Sequence, residues 1–162
     1  MIIGIGIMLL TFGLMEVKAW LMHKYVLHGF LWKLHRSHHT PKKSFFEWND
    51  LFFAYYGLLA MLCFIYGSEN MDFRFWIGAG ISLYGFLYFV VHDLYIHRRL
   101  KIFGKADNVY LRALDIAHRV HHKTRGRDGS ESFGMLWVHP KFIRLAKKTA
   151  SQRNVAGGTL LN

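Results

Sequence analysis

The sequence predicts an all-α integral membrane protein with about three to four spans and a histidine-rich helical cap on one membrane face. Three observations lead there. Apolar residues arrive in blocks of near-spanning length, and basic residues lie between and after those blocks. Ten of the eleven histidines fall into two copies of one spacing pattern. The 162 residues are 52% hydrophobic yet carry a formal net charge of +11, a combination that requires the two classes to be segregated along the chain. The length fits one domain, 1–162.

Residues 1–22 are apolar from the first position, with no basic stretch before them and no small-residue cleavage site after them, so a retained span is expected rather than a cleaved signal peptide. Glu16 and Lys18 fall near its inner end. Glu16 stands seven residues before His23, two helical turns on the same face, where it serves either as an interfacial charge or as a support for the histidine. The polar segment 23–50 follows. Residues 51–66 and 73–91 are the second and third spans, joined by the tight turn 67–72; sixteen residues are short for a core of about 30 Å, so span two is expected to begin in the preceding turn. Segment 92–145 is the second polar region. Within it, residues 133–145 are apolar but too short to cross, and are expected at the interface. The tail, 146–162, ends in SQRNVAGGTLLN, a composition that predicts disorder.

The charges orient these spans. The 67–72 turn has two acids and no Lys or Arg, whereas residues 22–50 carry five basic residues and 92–162 carry fourteen. The positive-inside rule then places the turn outside and both histidine segments in the cytoplasm. Anionic headgroups account for the positive charge better than nucleic acid, for which no motif or stacking platform is present. The single cysteine, Cys63, lies in an apolar block, so neither a disulfide nor a cysteine metal site is available.

The histidines carry the chemistry. His23 and His28, then His35, His38 and His39, form the first set; His92 and His97, then His118, His121 and His122, form the second. Each set reads H-x4-H followed by H-R-x-H-H. Ten imidazoles exceed what one ion of four to six coordination can use, so two adjacent metals are expected. The triplets stand at i, i+3 and i+4, on one helical face each. His23 and His28 are about 140° apart on a regular helix, so they converge only if the helix ends or distorts, and Gly29 could mark such a place. Glu47, Asn49 and Asp50 either cap the next span or orient a ligand histidine. His139, beside Pro140 and outside the pattern, is expected to be structural. HExxH is absent, which removes the zinc-protease helix. Zinc would make a hydrolase, whereas two irons can activate dioxygen, and a membrane location suits oxidation of a lipid C–H bond.

The stretches MEVKAWLMHKYVLHG, WKLHRSHHTPKKSFFEWNDL, YGFLYFVVHDLYIHRR, AHRVHHKTRGRDG and SFGMLW resemble the fatty acid hydroxylase superfamily of membrane di-iron enzymes, and within it the bacterial carotenoid hydroxylase branch. The resemblance extends to about residue 140 and includes all ten histidines. It implies a non-heme di-iron monooxygenase of carotenoid biosynthesis that hydroxylates C3 of beta-ionone rings, taking beta-carotene through beta-cryptoxanthin to zeaxanthin. Two iron ions as cofactor, O2 as co-substrate, and reduced ferredoxin as electron donor are implied with it, in the bacterial inner membrane with the site on the cytoplasmic side. The ligands would be His23, His28, His35, His38, His39, His92, His97, His118, His121 and His122. Asp50, Asp93 and Asp115 would hold imidazole N–H groups. Arg36, Arg98, Arg99 and Arg119 would meet an acidic ferredoxin or lipid headgroups. A fatty acid or sterol hydroxylase or a carotenoid ketolase shares this chemistry. A histidine-rich metal transporter is the rival of another class, but should carry its ligands at mid-span.

Overall fold

A computed structural model describes residues 1–40, 45–104 and 108–158, with side chains to residue 152. Helix α1 (Ile2–Leu21) continues into a π-helical segment, Met22–Phe30. A short α2 (Trp32–His35) and a 3-10 turn (Arg36–His39) lead towards α3 (Asp50–Gly67). Helix α4 (Phe73–Tyr88) runs into a second π-helical segment, Phe89–Ile96, before α5 (Val109–Lys123) and α6 (Pro140–Gly158). No strand occurs among the described residues.

Three helices are long and apolar enough to cross a membrane: Ile2–Phe30, Asp50–Gly67 and Phe73–Ile96. Span two does begin one residue early, at Asp50. Spans one and three run further than their apolar blocks, through His23, His28 and His92. The histidines therefore extend the helices instead of following them. At 1.5 Å per residue the first twenty residues of span one already cover about 30 Å, so the π-helical end lies at or beyond the apolar core boundary.

Helix α4 is central, packing on α1 and α3. Two glycines permit this. A Cβ on Gly80 would sit 2.6 Å from the Met8 carbonyl oxygen of α1, and one on Gly78 would sit 3.0 Å from the Ala60 carbonyl oxygen of α3. Close backbone approach replaces a hydrophobic driving force that lipid removes. Met15, Ala60, Ile81 and Tyr84 fill the seam, with Phe12 edge-on to Tyr84 at 5.8 Å. Leu9, Leu10, Leu14, Leu58, Ile65 and Phe86 remain exposed, as a lipid-facing surface requires. Asp72 caps α4 by accepting from the Arg74 N–H.

Residues 133–145 divide between two elements: 133–137 form a loop against α1, and α6 starts at Pro140, which suits a first helical position. The disorder expected for the tail is not found as far as Gly158, because α6 continues; 159–162 lie outside the described residues. Phe142 and Ala146, one helical turn apart, bury themselves against Ala113, Leu114 and Ala117 of α5, and this packing holds the helix where composition alone would not.

Candidate metal centre

The two H-x4-H pairs lie in, or just beyond, the two π-helical segments. A π-helix closes i→i+5 hydrogen bonds, so it brings residues five apart onto one face. His97 N–H donates to the His92 carbonyl at 2.8 Å and Leu31 N–H to the Val26 carbonyl at 3.0 Å. The helix distorts, as the first pair's spacing requires. Gly29, with φ −102° and ψ −123°, leaves helical geometry just after His28 and turns the chain back towards α2.

The ten histidines gather at one end of the bundle as two sets. His23, His28, His35, His39 and His121 form site one; His38, His92, His97 and His118 form site two. Within each set the nearest ring nitrogens all lie within 4.8 Å of one another. His122 stands between the sets, its ring 4.4 Å from His118, 4.6 Å from His38 and 4.5 Å from His39. The sequence halves thus do not map onto the sites. His38 leaves the first motif for site two, and His121 leaves the second for site one. The physical reason is local. His38 and His39 are consecutive in the 3-10 turn Arg36–His39, so at about 120° per residue their rings diverge: His39 Nε2 meets that of His35 at 3.2 Å, and His38 Nε2 meets that of His92 at 3.0 Å. The expectation that His35, His38 and His39 act from a single helical face is corrected accordingly. On α5, a regular helix, His118 and His121 share a face broad enough to reach both sites.

Hydrogen bonds fix the rings. In site one, Nδ1–H of His23, His28, His39 and His121 donates to the carbonyls of Phe133, Arg127, Thr124 and Glu131, at 3.0, 2.7, 3.0 and 3.0 Å. His35 donates to Asn49 Oδ1 at 2.8 Å. In site two, His38 donates to Glu47 and His92 to Asp93, at 2.8 and 2.9 Å. A carbonyl or carboxylate can only accept, so these Nδ1 atoms carry the proton and the neutral ring leaves Nε2 bare.

Those bare nitrogens face one another. Nε2 of His23 is 3.0 Å from that of His35, which is 3.2 Å from that of His39; His28 and His121 meet at 3.2 Å, His92 and His38 at 3.0 Å. No proton is available to bridge such pairs, and two lone pairs repel at this range. A shared cation removes the conflict: ligands at right angles, about 2.1 Å from one ion, lie about 3.0 Å apart. Burial disfavours the alternative of charged rings. It pushes His35 down to about 3, His39 to about 4 and both His121 and His122 to about 2, and holds His38 and His118 well below the ordinary histidine range. The His122 Nε2 is buried and without a hydrogen-bond partner among the described residues. The residues fit two cations, each of which could be held by imidazole alone.

Of the acidic candidates, Asp93 accepts from His92 Nδ1–H at 2.9 Å. Asp50 instead accepts from Arg99 and from the Glu47 N–H. Arg99, at 8% side-chain exposure, also lies 3.4 Å from Asp93 and 3.9 Å from Glu47. It is a buried brace between the carboxylates behind site two, not a docking residue. Asp115 pairs with Arg119 one turn along α5. Glu47 and Asn49, whose roles the sequence leaves open between capping and orienting, both orient rings. The backbone acceptors of 124–133 have no side-chain signature by which to find them. His139 is exposed and accepts from Lys141 N–H at the start of α6.

An apolar cavity of about 110 Å³ opens onto both sites, reaching His23, His35, His38 and His92 from between the spans. Phe53, Tyr56, Ile81 and Gly85 line it and also line a groove of about 530 Å³ along the outer face of α3 and α4.

Residues 8–139 match the fatty acid hydroxylase family, and the chain belongs to that family. Within it, the chain is similar to the beta-carotene hydroxylase of Pantoea ananas, at 44% identity over 143 residues, covering 88% of this chain and 79% of that protein. It is 40% identical to the beta-carotene hydroxylase of Pseudescherichia vulneris over 85% of this chain and 78% of that protein. Similarity extends to the chloroplastic beta-carotene 3-hydroxylase of Haematococcus lacustris, at 40% identity over 75% of this chain and 39% of that longer protein. No solved structure matches the chain.

Proposed function

We propose that this protein is a carotenoid hydroxylase that inserts one oxygen atom of O2 into the C3–H bond of a beta-ionone ring, converting beta-carotene to beta-cryptoxanthin and then to zeaxanthin. The observation that carries this reading is the apolar cavity joining two all-histidine sites to a lipid-facing groove. Each turnover consumes O2, two electrons and two protons and releases one water per hydroxyl formed; reduced ferredoxin is the proposed donor. His23, His28, His35, His39 and His121 hold one iron; His38, His92, His97, His118 and His122 hold the other. Bound there, the iron pair supplies dioxygen activation strong enough for an unactivated C–H bond.

The chain's own residues do the rest. The carbonyls, Asn49, Glu47 and Asp93 keep each ring in the tautomer that presents Nε2. Tyr84, Tyr88, Phe53 and Ile81 exclude water from the cavity and shape a slot for a flat apolar ring. The α3–α4 groove accommodates an extended apolar chain in the bilayer while the ring enters. Exposed basic residues such as Arg36 are placed to meet lipid headgroups or an acidic donor. Ligands clustered at one end of the bundle disfavour a transporter, whose site belongs near the bilayer midplane. The histidine end faces the cytoplasm of the inner membrane, on the charge asymmetry; reporters fused at Asn70 and at the C-terminus should then report opposite sides, and the same side would overturn the orientation.

Expression in a host that accumulates beta-carotene tests the reaction. Beta-cryptoxanthin and zeaxanthin are expected. Keto-carotenoids would identify a ketolase, and unchanged beta-carotene with hydroxylated fatty acids or sterols would overturn the substrate class.

A further inference from the structure

A carboxylate within a transmembrane helix is costly, and its partners reveal its use. Glu16 is met by three consecutive backbone donors from the loop after α5. Its Oε1 accepts from Met135, Leu136 and Trp137 N–H at 2.9, 3.0 and 2.9 Å, and its Oε2 accepts from Tyr84 O–H at 2.8 Å. Gly134 makes the approach possible: a Cβ there would lie 2.8 Å from the Trp137 carbonyl oxygen and 3.2 Å from Glu16 Oε1. The segment held in this way is the one that orients site one. Thr124, Arg127, Glu131 and Phe133 supply the carbonyls for four of its five rings, and Ser132, between two of them, adopts a positive φ of 65°. A non-glycine residue keeps such a conformation only where its surroundings impose it. Site two has a different support: Glu47 and Asp93, held by Arg99.

We infer that Glu16 is a positioning residue for site one alone: it latches the 124–137 segment so that its carbonyls aim His23, His28, His39 and His121, while site two is set independently by its carboxylates. This rests on the reading of the two histidine sets as metal sites. Loss of the latch releases one ion and keeps the other, which a general destabilisation of the fold would not do.

The test is iron content per chain in detergent-purified, membrane-inserted protein reconstituted anaerobically with ferrous iron. Wild type should hold two irons and Glu16→Leu, which removes both acceptor oxygens, one. Adding His121→Ala to Glu16→Leu should cost no further iron, whereas adding His97→Ala should remove the remaining ion. Two irons in Glu16→Leu, or loss of both, would overturn the inference. Gly134→Ala, which crowds the same contact, should behave as Glu16→Leu does and serves in its place if that variant does not accumulate. Amide hydrogen exchange gives an arm independent of metal. The Met135, Leu136 and Trp137 amides should lose protection in Glu16→Leu; retained protection would overturn the latch. Wild type with fewer than two irons but the same amide result would count against the two-metal reading and leave the latch standing.

Discussion

The exchange of His38 and His121 between the motifs has a consequence that separates spacing from structure. Consider His38→Ala. Its ring donates to Glu47, whose side chain is 5% exposed, and its Nε2 lies 3.0 Å from that of His92. Removing one imidazole from a five-ligand site forfeits about a fifth of a metal-binding free energy of about 10–16 kcal/mol, hence about 2–3 kcal/mol. Glu47 also loses its N–H donor in a buried position, which costs about 1–3 kcal/mol, at the lower end because Arg99 remains nearby. The Glu47 cost falls on the fold with or without metal, so the lost ligand alone sets the affinity: about 2–3 kcal/mol, roughly a hundredfold weaker binding at site two. His39→Ala should act in the same way on site one. Iron content of two double variants then decides the matter. His38→Ala with His97→Ala removes two ligands of one site and should leave one iron per chain. His38→Ala with His39→Ala, adjacent in sequence, should leave none. One iron retained in the adjacent pair, or none in the distant pair, would refute the assignment of His38 to site two.

Further outcomes follow from the surroundings. Arg99→Met leaves Glu47, Asp50 and Asp93 without their shared cation and should destabilise the protein by about 3–5 kcal/mol, read from denaturant or thermal unfolding in detergent; a change under 1 kcal/mol would show that the carboxylates do not depend on it. In metal-free protein, His35 and His39 stay neutral down to about 3 and about 4, whereas the unfolded chain protonates them below about 6.5. The unfolded state therefore binds the extra protons, and stability should fall with pH between about 6.5 and those values, by about 1.4 kcal/mol per pH unit for each such ring; unfolding curves that coincide at pH 7 and pH 5 would contradict this, and bound iron should flatten the dependence. Gly80→Ala drives a methyl group into the Met8 carbonyl and Thr11, at 2.6 Å each, and should cost about 1–3 kcal/mol, more than Gly78→Ala, whose nearest contacts are 3.0 Å; equal effects would mean that α1 yields as easily as α3.

What the sequence determined by itself is what depends on near neighbours along the chain. Apolar blocks predict spans because transfer into lipid is a property of each segment, and the three spans stand where those blocks are, lengthened at their histidine ends. The H-x4-H spacing carries a demand for helix distortion, since five residues do not return to one face of a regular α-helix; the π-helical segments answer it at both places. The tertiary structure decided the rest. Composition predicted disorder after residue 150, yet α6 persists because Phe142 and Ala146 find Ala113 and Ala117, a contact between distant parts of the chain. Glu16 reads as an interfacial charge until the loop at 135–137 arrives beside it. The membership of each site was likewise out of reach: the imidazoles are chemically alike, and four of the seven that donate from Nδ1 to a named acceptor do so to backbone carbonyls. Every residue type has a carbonyl, so only the path of the chain through space assigns it a role.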